Sequence, residues 1–114
     1  MVEGEIVVIY LAAPYMNENK DVIHDRMEKI YKIIGDYIKN DVHIITPLFM
    51  HEVVIRHEMP GHYRFWEKYC LNLLKLCDKM IVLRLEGWES SRGIAAEIEF
   101  CHNNGIPIEF INYQ

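Results

Sequence analysis

Apolar residues follow two alternating rhythms along this chain: short continuous runs, and longer stretches spaced by three and four. Ile6 to Tyr10 is continuous and rich in β-branched residues, the pattern of a strand buried on both faces of a parallel sheet. Ala12 to Tyr15 reads as a turn. From Lys20 to Lys39, Ile23, Met27, Ile30, Ile34, Tyr37 and Ile38 recur at helical steps, with Asp25, Glu28, Lys29, Lys32 and Asp36 on the other face. Asn40-Asp41 breaks the helix, Val42 to Ile45 is a second strand, and Thr46-Pro47 ends it. Leu48 to Gly61 reads as a long loop with one helical turn, and long loops in small domains tend to be functional. Phe65, Trp66, Tyr69, Cys70, Leu73, Leu74 and Cys77 give helical spacing from Tyr63 to Leu76. Met80 to Leu83 is a third strand and Glu86 to Ser91 a polar turn. Arg92 to Asn104 is a further helix, with Ile94, Ile98 and Cys101 on one face. It stops at Asn103-Asn104-Gly105, with glycine placed for a left-handed cap. Ile106 to Ile111 is the fourth strand.

This order of strands and helices predicts an α/β domain of the flavodoxin-like or Rossmann-like kind. It is a three-layer sandwich whose parallel sheet has four strands, extendable to five, in the order 2-1-3-4. The connections are long enough for right-handed parallel crossovers. The order reverses between the first and third strands, and ligands of such sheets bind at the strands' carboxyl ends there. Two segments converge on that point, Tyr10 to Tyr15 and Gly87 to Glu97.

Composition narrows the function. The 114 residues suit a single domain over 1–114, and 51% are hydrophobic, enough for a core. Twelve Lys and Arg against seventeen Asp and Glu leave a net charge of −5, which argues against a nucleic-acid polymer or an anionic membrane as partner. No apolar run approaches the roughly 20 residues of a membrane span. Met1 to Glu5 is acidic and lacks the basic and apolar regions of a secretory leader. Cys70, Cys77 and Cys101 form no C-x-x-C pair, and read as reduced, buried thiols of a cytoplasmic protein. His51, His57 and His62 are spaced by six and five, which puts no two on adjacent turns of one helix face, so no metal is expected.

Single residues leave alternatives open. Glu97 falls at the edge of the buried face of its helix, facing the predicted cleft, yet the pattern alone favours a solvated glutamate beside Glu99. Ser90 and Ser91 precede a helix and suit N-capping; with Gly93 they also suit a phosphate seat of hydroxyls and free backbone N–H groups. Tyr10 and Tyr15 bracket the first turn, as packing residues or as site residues.

Together, several motifs resemble the nucleoside 2-deoxyribosyltransferase-like superfamily. These are Tyr10-Leu-Ala-Ala-Pro-Tyr15, the run Cys77 to Leu83, Gly87-Trp88-Glu89-Ser90-Ser91-Arg92-Gly93, and Ala96-Glu97-Ile98-Glu99. The likeness spans nearly the whole chain and is greatest to a small bacterial and phage branch sharing Thr46-Pro47, His51, Trp66 and Gly87-Trp88-x-x-Ser91-x-Gly93. The resemblance implies an N-glycosidase or deoxyribosyltransferase acting through a glutamate, matched by Glu97, on C1′ of a deoxynucleoside or its 5′-monophosphate. Tyr10 would orient the carboxylate. Ala12, Ala13, Ser90, Ser91 and Gly93 would bind the substrate. In the superfamily, serine at the position of Ser91 goes with a 5′-monophosphate, because an acidic residue there repels phosphate.

No cofactor is implied. Assembly into a dimer or larger oligomer is, and the aromatics Tyr63, Phe65 and Trp66 suit either such an interface or core packing. One departure matters. The superfamily's proton-handling aspartate falls eight residues before Asp78, where this chain has Cys70. Asp78 cannot replace it, because it precedes the third strand at the opposite end of the sheet. The departure keeps open a non-catalytic nucleotide-binding or sequestering module, and a plain flavodoxin-like interaction domain.

Overall fold

A computed structural model describes residues 6–113. The acidic stretch read for a leader, Met1 to Glu5, lies outside them. Four strands, β1 (Val8–Ala12), β2 (His43–Ile45), β3 (Lys79–Leu83) and β4 (Ile108–Ile111), form one sheet in the order β2-β1-β3-β4. Every pairing is parallel. The α/β class, the parallel sheet and the 2-1-3-4 order are as the sequence predicts. The helices are α1 (Lys20–Lys39), α2 (His51–Arg56), α3 (Tyr63–Lys75) and α4 (Arg92–Asn104).

The side-chain alternation of β1 builds the three layers. Tyr10 and Ala12 point to one face, where they pack with Leu74 and Cys77 from the α3 side, Met80 and Val82 of β3, and Ile94 and Cys101 of α4. Leu11 points to the other, where it meets Met27, Ile30 and Ile34 of α1 and Ile44 of β2. All three cysteines are buried and free. Gly105 takes the left-handed conformation that closes α4, with φ 67°.

Beyond one-residue shifts at Val42, Leu76 and Lys79, four element boundaries differ from the sequence reading. Ile6 and Val7 are 61% and 44% exposed and precede β1 instead of starting it. Neighbouring strands reach only to Val8, opposite His43, and Ile9, opposite Lys79, so the two residues have nothing to pair with. At the other end β1 runs on to Ala12, which pairs with Val82 and so belongs to the strand and not to the turn. Ile106 and Pro107 lie outside β4, because the Ile106 N–H closes the end of α4 on the Cys101 carbonyl.

The fourth difference is the expected loop from Leu48 to Gly61, which is largely helical. Thr46 caps a 3-10 turn over Pro47–Met50 by accepting from the Leu48 N–H. That turn runs straight into α2, whose Glu52 and Arg56 pair across one turn at 3.1 Å. Thr-Pro therefore starts a helix here as well as ending a strand. Asp78 lies where the sequence put it, at the amino ends of the strands; its Oδ2 accepts from the Val8 N–H at 2.8 Å.

Candidate functional site

A cleft of about 920 Å³ opens over the carboxyl ends of β1 and β3. Its floor comes from β1, one wall from the segment after β3 and the first turns of α4, and another from the segments after β1 and β2. Tyr10, Ala12, Ala13, Ser90, Ser91, Gly93 and Glu97, the residues the sequence singles out, all line it.

Glu97 is the centre of the site. It is 4% exposed, so the solvated alternative does not hold. Arg92 begins α4 and Ile94 anchors its first turn in the core, which carries Glu97 inward one turn later. The Tyr10 hydroxyl donates to Glu97 Oε2 within this buried space. Burial pushes the Glu97 carboxyl up to about 7, opposed by the Tyr10 and Tyr63 hydroxyls, which favour its charged form. Burial, with the carboxylate beside it, drives the Tyr10 phenol far above its ordinary range, so it stays a donor. A carboxylate held this way can act as a nucleophile or as a proton carrier near neutral pH.

Cys70 faces the same group from α3. Its thiol is pushed up to about 12, first by burial and then by the Glu97 charge, so it stays neutral. It supplies none of the proton-handling capacity of a carboxylic acid.

The start of α4 forms the opposite wall. Ser91 caps the helix, its hydroxyl accepting from the Ile94 N–H at 3.2 Å. Ser90 does not cap; its hydroxyl donates to the Gly87 carbonyl at 3.1 Å within the preceding turn. Gly87 holds φ 91°, a left-handed backbone that favours glycine, and a Cβ there would lie 2.7 Å from an Arg26 nitrogen. Gly93 is set by a different contact from the phosphate approach the sequence suggested. A Cβ on it would fall 2.7 Å from the Tyr63 ring.

Three residues of the cleft lining had no role there in the sequence reading, although one of them, His51, was named in a shared motif. Arg26 lies nearly two turns into α1 and was not assigned to either face in the sequence reading. Its guanidinium donates to the carbonyls of Tyr15 at 3.2 Å, Met16 at 2.9 Å and Glu86 at 3.1 Å, tying the loop after β1 to the loop after β3. His51 is buried, with its Nδ1 2.7 Å from the Tyr15 hydroxyl, so Tyr15 makes a polar contact in the cleft lining and is not only packing. The third is Tyr63, read only as an interface or core aromatic. The signal for Arg26 was faint: it immediately precedes the inward-facing Met27.

Charge in the cleft runs against charge on the chain. Arg26, Arg64 and Arg92 line it against Glu67 and Glu97, although the whole sequence carries −5. Among the described residues no group of three or more His, Cys, Asp or Glu could hold a metal ion. No described helix is long and apolar enough to cross a membrane. No curated protein matches the chain in sequence. Residues 7–112 match the family described as Domain of unknown function (DUF1937). With its sheet, both cleft walls and the Tyr10–Glu97 pair all inside that span, the chain belongs to the DUF1937 family.

Proposed function

We propose that this protein is an N-glycosidase or deoxyribosyltransferase-like enzyme acting on deoxynucleoside 5′-monophosphates, with Glu97 as nucleophile. The observation that carries the reading is the buried Glu97 carboxyl held by Tyr10 in a cleft that Arg26, Arg64 and Arg92 also line. It agrees with the resemblance of the Tyr10-to-Tyr15 and Gly87-to-Gly93 motifs to the nucleoside 2-deoxyribosyltransferase-like superfamily.

The chemistry follows that of retaining glycosidases. Tyr10 holds Oε2, and the other carboxylate oxygen attacks C1′ as the bond to the base breaks. The base leaves with the bonding electrons and takes up a proton from water. Water, or a second base, then displaces the carboxylate from C1′ and restores Glu97. Positive charge developing on the sugar ring is greatest at the transition state, where the carboxylate stabilises it most. The 5′-phosphate sits at the start of α4, where free backbone N–H groups and the helix dipole favour an anion and Ser91 adds a hydroxyl. Arg92 and Arg64 supply further charge at the rim.

Ser91→Asp tests the phosphate seat. Aspartate is as good a helix cap as serine, so the fold should persist. Affinity for the monophosphate is expected to fall about tenfold or more, as for a like charge placed beside a phosphate, with the free nucleoside little changed. Calorimetric titration of both ligands reads the difference, and equal losses place the phosphate elsewhere.

Cys70 favours a second reading, a module that binds a nucleotide without cleaving it, because a neutral thiol leaves the departing base without a carboxylic acid as its proton source. The experiment that separates the two is chromatography for free base after incubating the pure protein with a panel of deoxynucleoside monophosphates. Cys70→Asp is the informative second arm. Two carboxyls in one buried pocket share a proton at neutral pH, and that proton can go to the base. Base release is expected to rise on the order of tenfold or more, within the usual range for a positioned acid. Measurable binding with no base release from either protein favours the module.

A further inference from the structure

The Tyr63 hydroxyl oxygen is buried with no partner at full hydrogen-bonding geometry, although it lies near enough to Glu97 to favour the charged carboxylate. Unpaired buried polar atoms are rare and call for a physical reason. Tyr63 is the first residue of α3, and its ring lies against Gly93 in the first turn of α4. A Cβ at position 93 would fall 2.7 Å from its Cδ1 and 3.1 Å from its Cε1.

The groups that face Glu97 come from three elements: Tyr10 of β1, Tyr63 and Cys70 of α3, and Cys101 of its own helix. Tyr10 donates one hydrogen bond, to Oε2. An ionised carboxylate has about four acceptor positions, whereas a neutral carboxyl has fewer and carries a proton of its own. Ionisation therefore creates a demand for donors that Tyr10 alone does not meet. Cys70 is a weak donor, which leaves the Tyr63 hydroxyl.

We infer that Tyr63 is the second hydrogen-bond donor of Glu97, a positioning residue that engages when the carboxyl ionises, and that position 93 is glycine so that the Tyr63 ring can reach it. The inference deepens the glycosidase reading, on which its consequence for rate rests. A Tyr63 that pairs only with the ionised carboxyl enlarges the fraction of Glu97 ready to attack. The Gly93 of the Gly-Trp-x-x-Ser-x-Gly motif then serves the nucleophile by making room for a ring, while Ser91 serves the phosphate.

The test titrates Glu97 without any substrate. Carbon-13 label in the glutamate side-chain carboxyls is followed by NMR across pH 5 to 9, and Glu97→Gln assigns the resonance. Tyr63→Phe is expected to raise the titration midpoint by about one pH unit, a tenfold smaller ionised fraction below the midpoint, the size of effect one donor has on a buried carboxylate. Gly93→Ala should move it the same way by displacing the ring. Incorporating 3-fluorotyrosine at position 63, a stronger donor of nearly the same shape, should lower the midpoint, and it decides the matter if Tyr63→Phe does not fold. A midpoint that neither Tyr63 change moves, or that both move in one direction, overturns the inference. Failure of both the native protein and Cys70→Asp to release base would instead overturn the glycosidase reading and leave the titration result standing.

Discussion

Glu97→Gln is expected to reduce base release from deoxynucleoside 5′-monophosphates by at least about a hundredfold while leaving nucleotide affinity largely unchanged. The amide keeps the shape of the side chain and still accepts from Tyr10, so the cleft should hold its form. What is lost is a negative charge that matters most when the sugar becomes positive. Removing one group that stabilises transition-state charge commonly costs on the order of a hundredfold to a thousandfold. The loss should fall on kcat, with KM little moved. In the native protein, release should increase as pH rises through about 7, where burial places the Glu97 titration, because only the ionised form attacks. Paired kinetic and binding measurements at pH 8 check this. An equal fall in affinity and rate would make Glu97 a binding group.

The same substitution should stabilise the fold at alkaline pH. In the folded state burial raises the Glu97 carboxyl from 4.5 to about 7, so between those values the folded protein holds a proton that the unfolded chain has released. Stability falls with rising pH wherever the folded state binds more protons. This contribution is therefore fully favourable below about pH 4.5, and is lost progressively up to about pH 7. At roughly 1.4 kcal/mol per unit, keeping the ionised carboxylate buried at pH 8 costs on the order of 3–4 kcal/mol. A neutral glutamine escapes that cost. Glu97→Gln is expected to melt about 10 °C or more above the native protein at pH 8, with the gap closing toward pH 5. Thermal melts at the two pH values read the difference. A gap independent of pH would mean that Glu97 is not titrating in this range. A residue that costs stability where it would be active is the usual sign of a site shaped for chemistry.

The architecture was legible because periodicity speaks directly about burial. The continuous apolar runs at β1 and β3 marked them as central strands, and the steps of three and four in α1 and α4 fixed which faces turn inward. Boundaries were less legible, because a strand ends where its neighbour ends. Nothing in Ile6-Val7 announces that β2 is too short to pair with them. The helical segment from Pro47 to Arg56 was hidden for a related reason. Two short turns packed on a wall of the cleft need no continuous apolar stripe, and Val53 and Ile55 are exposed.

The site was legible in part. Tyr10, Ser91 and Glu97 sit in motifs next to the switch point, and topology alone brings those motifs together. Arg26, His51 and Tyr63 come from elements whose relation to the cleft depends on how helices α1, α2 and α3 lie across the sheet. Their roles rest on contacts between residues as far as 60 positions apart, such as Arg26 with Glu86. Gly93 shows the limit of motif reasoning most clearly. The residue was singled out for a phosphate, but the contact that calls for glycine there is an aromatic ring from another helix.

The central claim is that Glu97 attacks C1′, and intact-mass measurement after incubation with a 2-fluoro-2-deoxy-arabinonucleotide carrying a good leaving group tests it most directly. The electron-withdrawing fluorine slows breakdown of the glycosyl-enzyme more than its formation, so the intermediate accumulates. The account predicts a mass increase equal to one fluorinated sugar phosphate, mapping to the peptide that contains Glu97 and absent from Glu97→Gln. Leaving-group release by the native protein with no mass increase, or with the added mass on another residue, would contradict it.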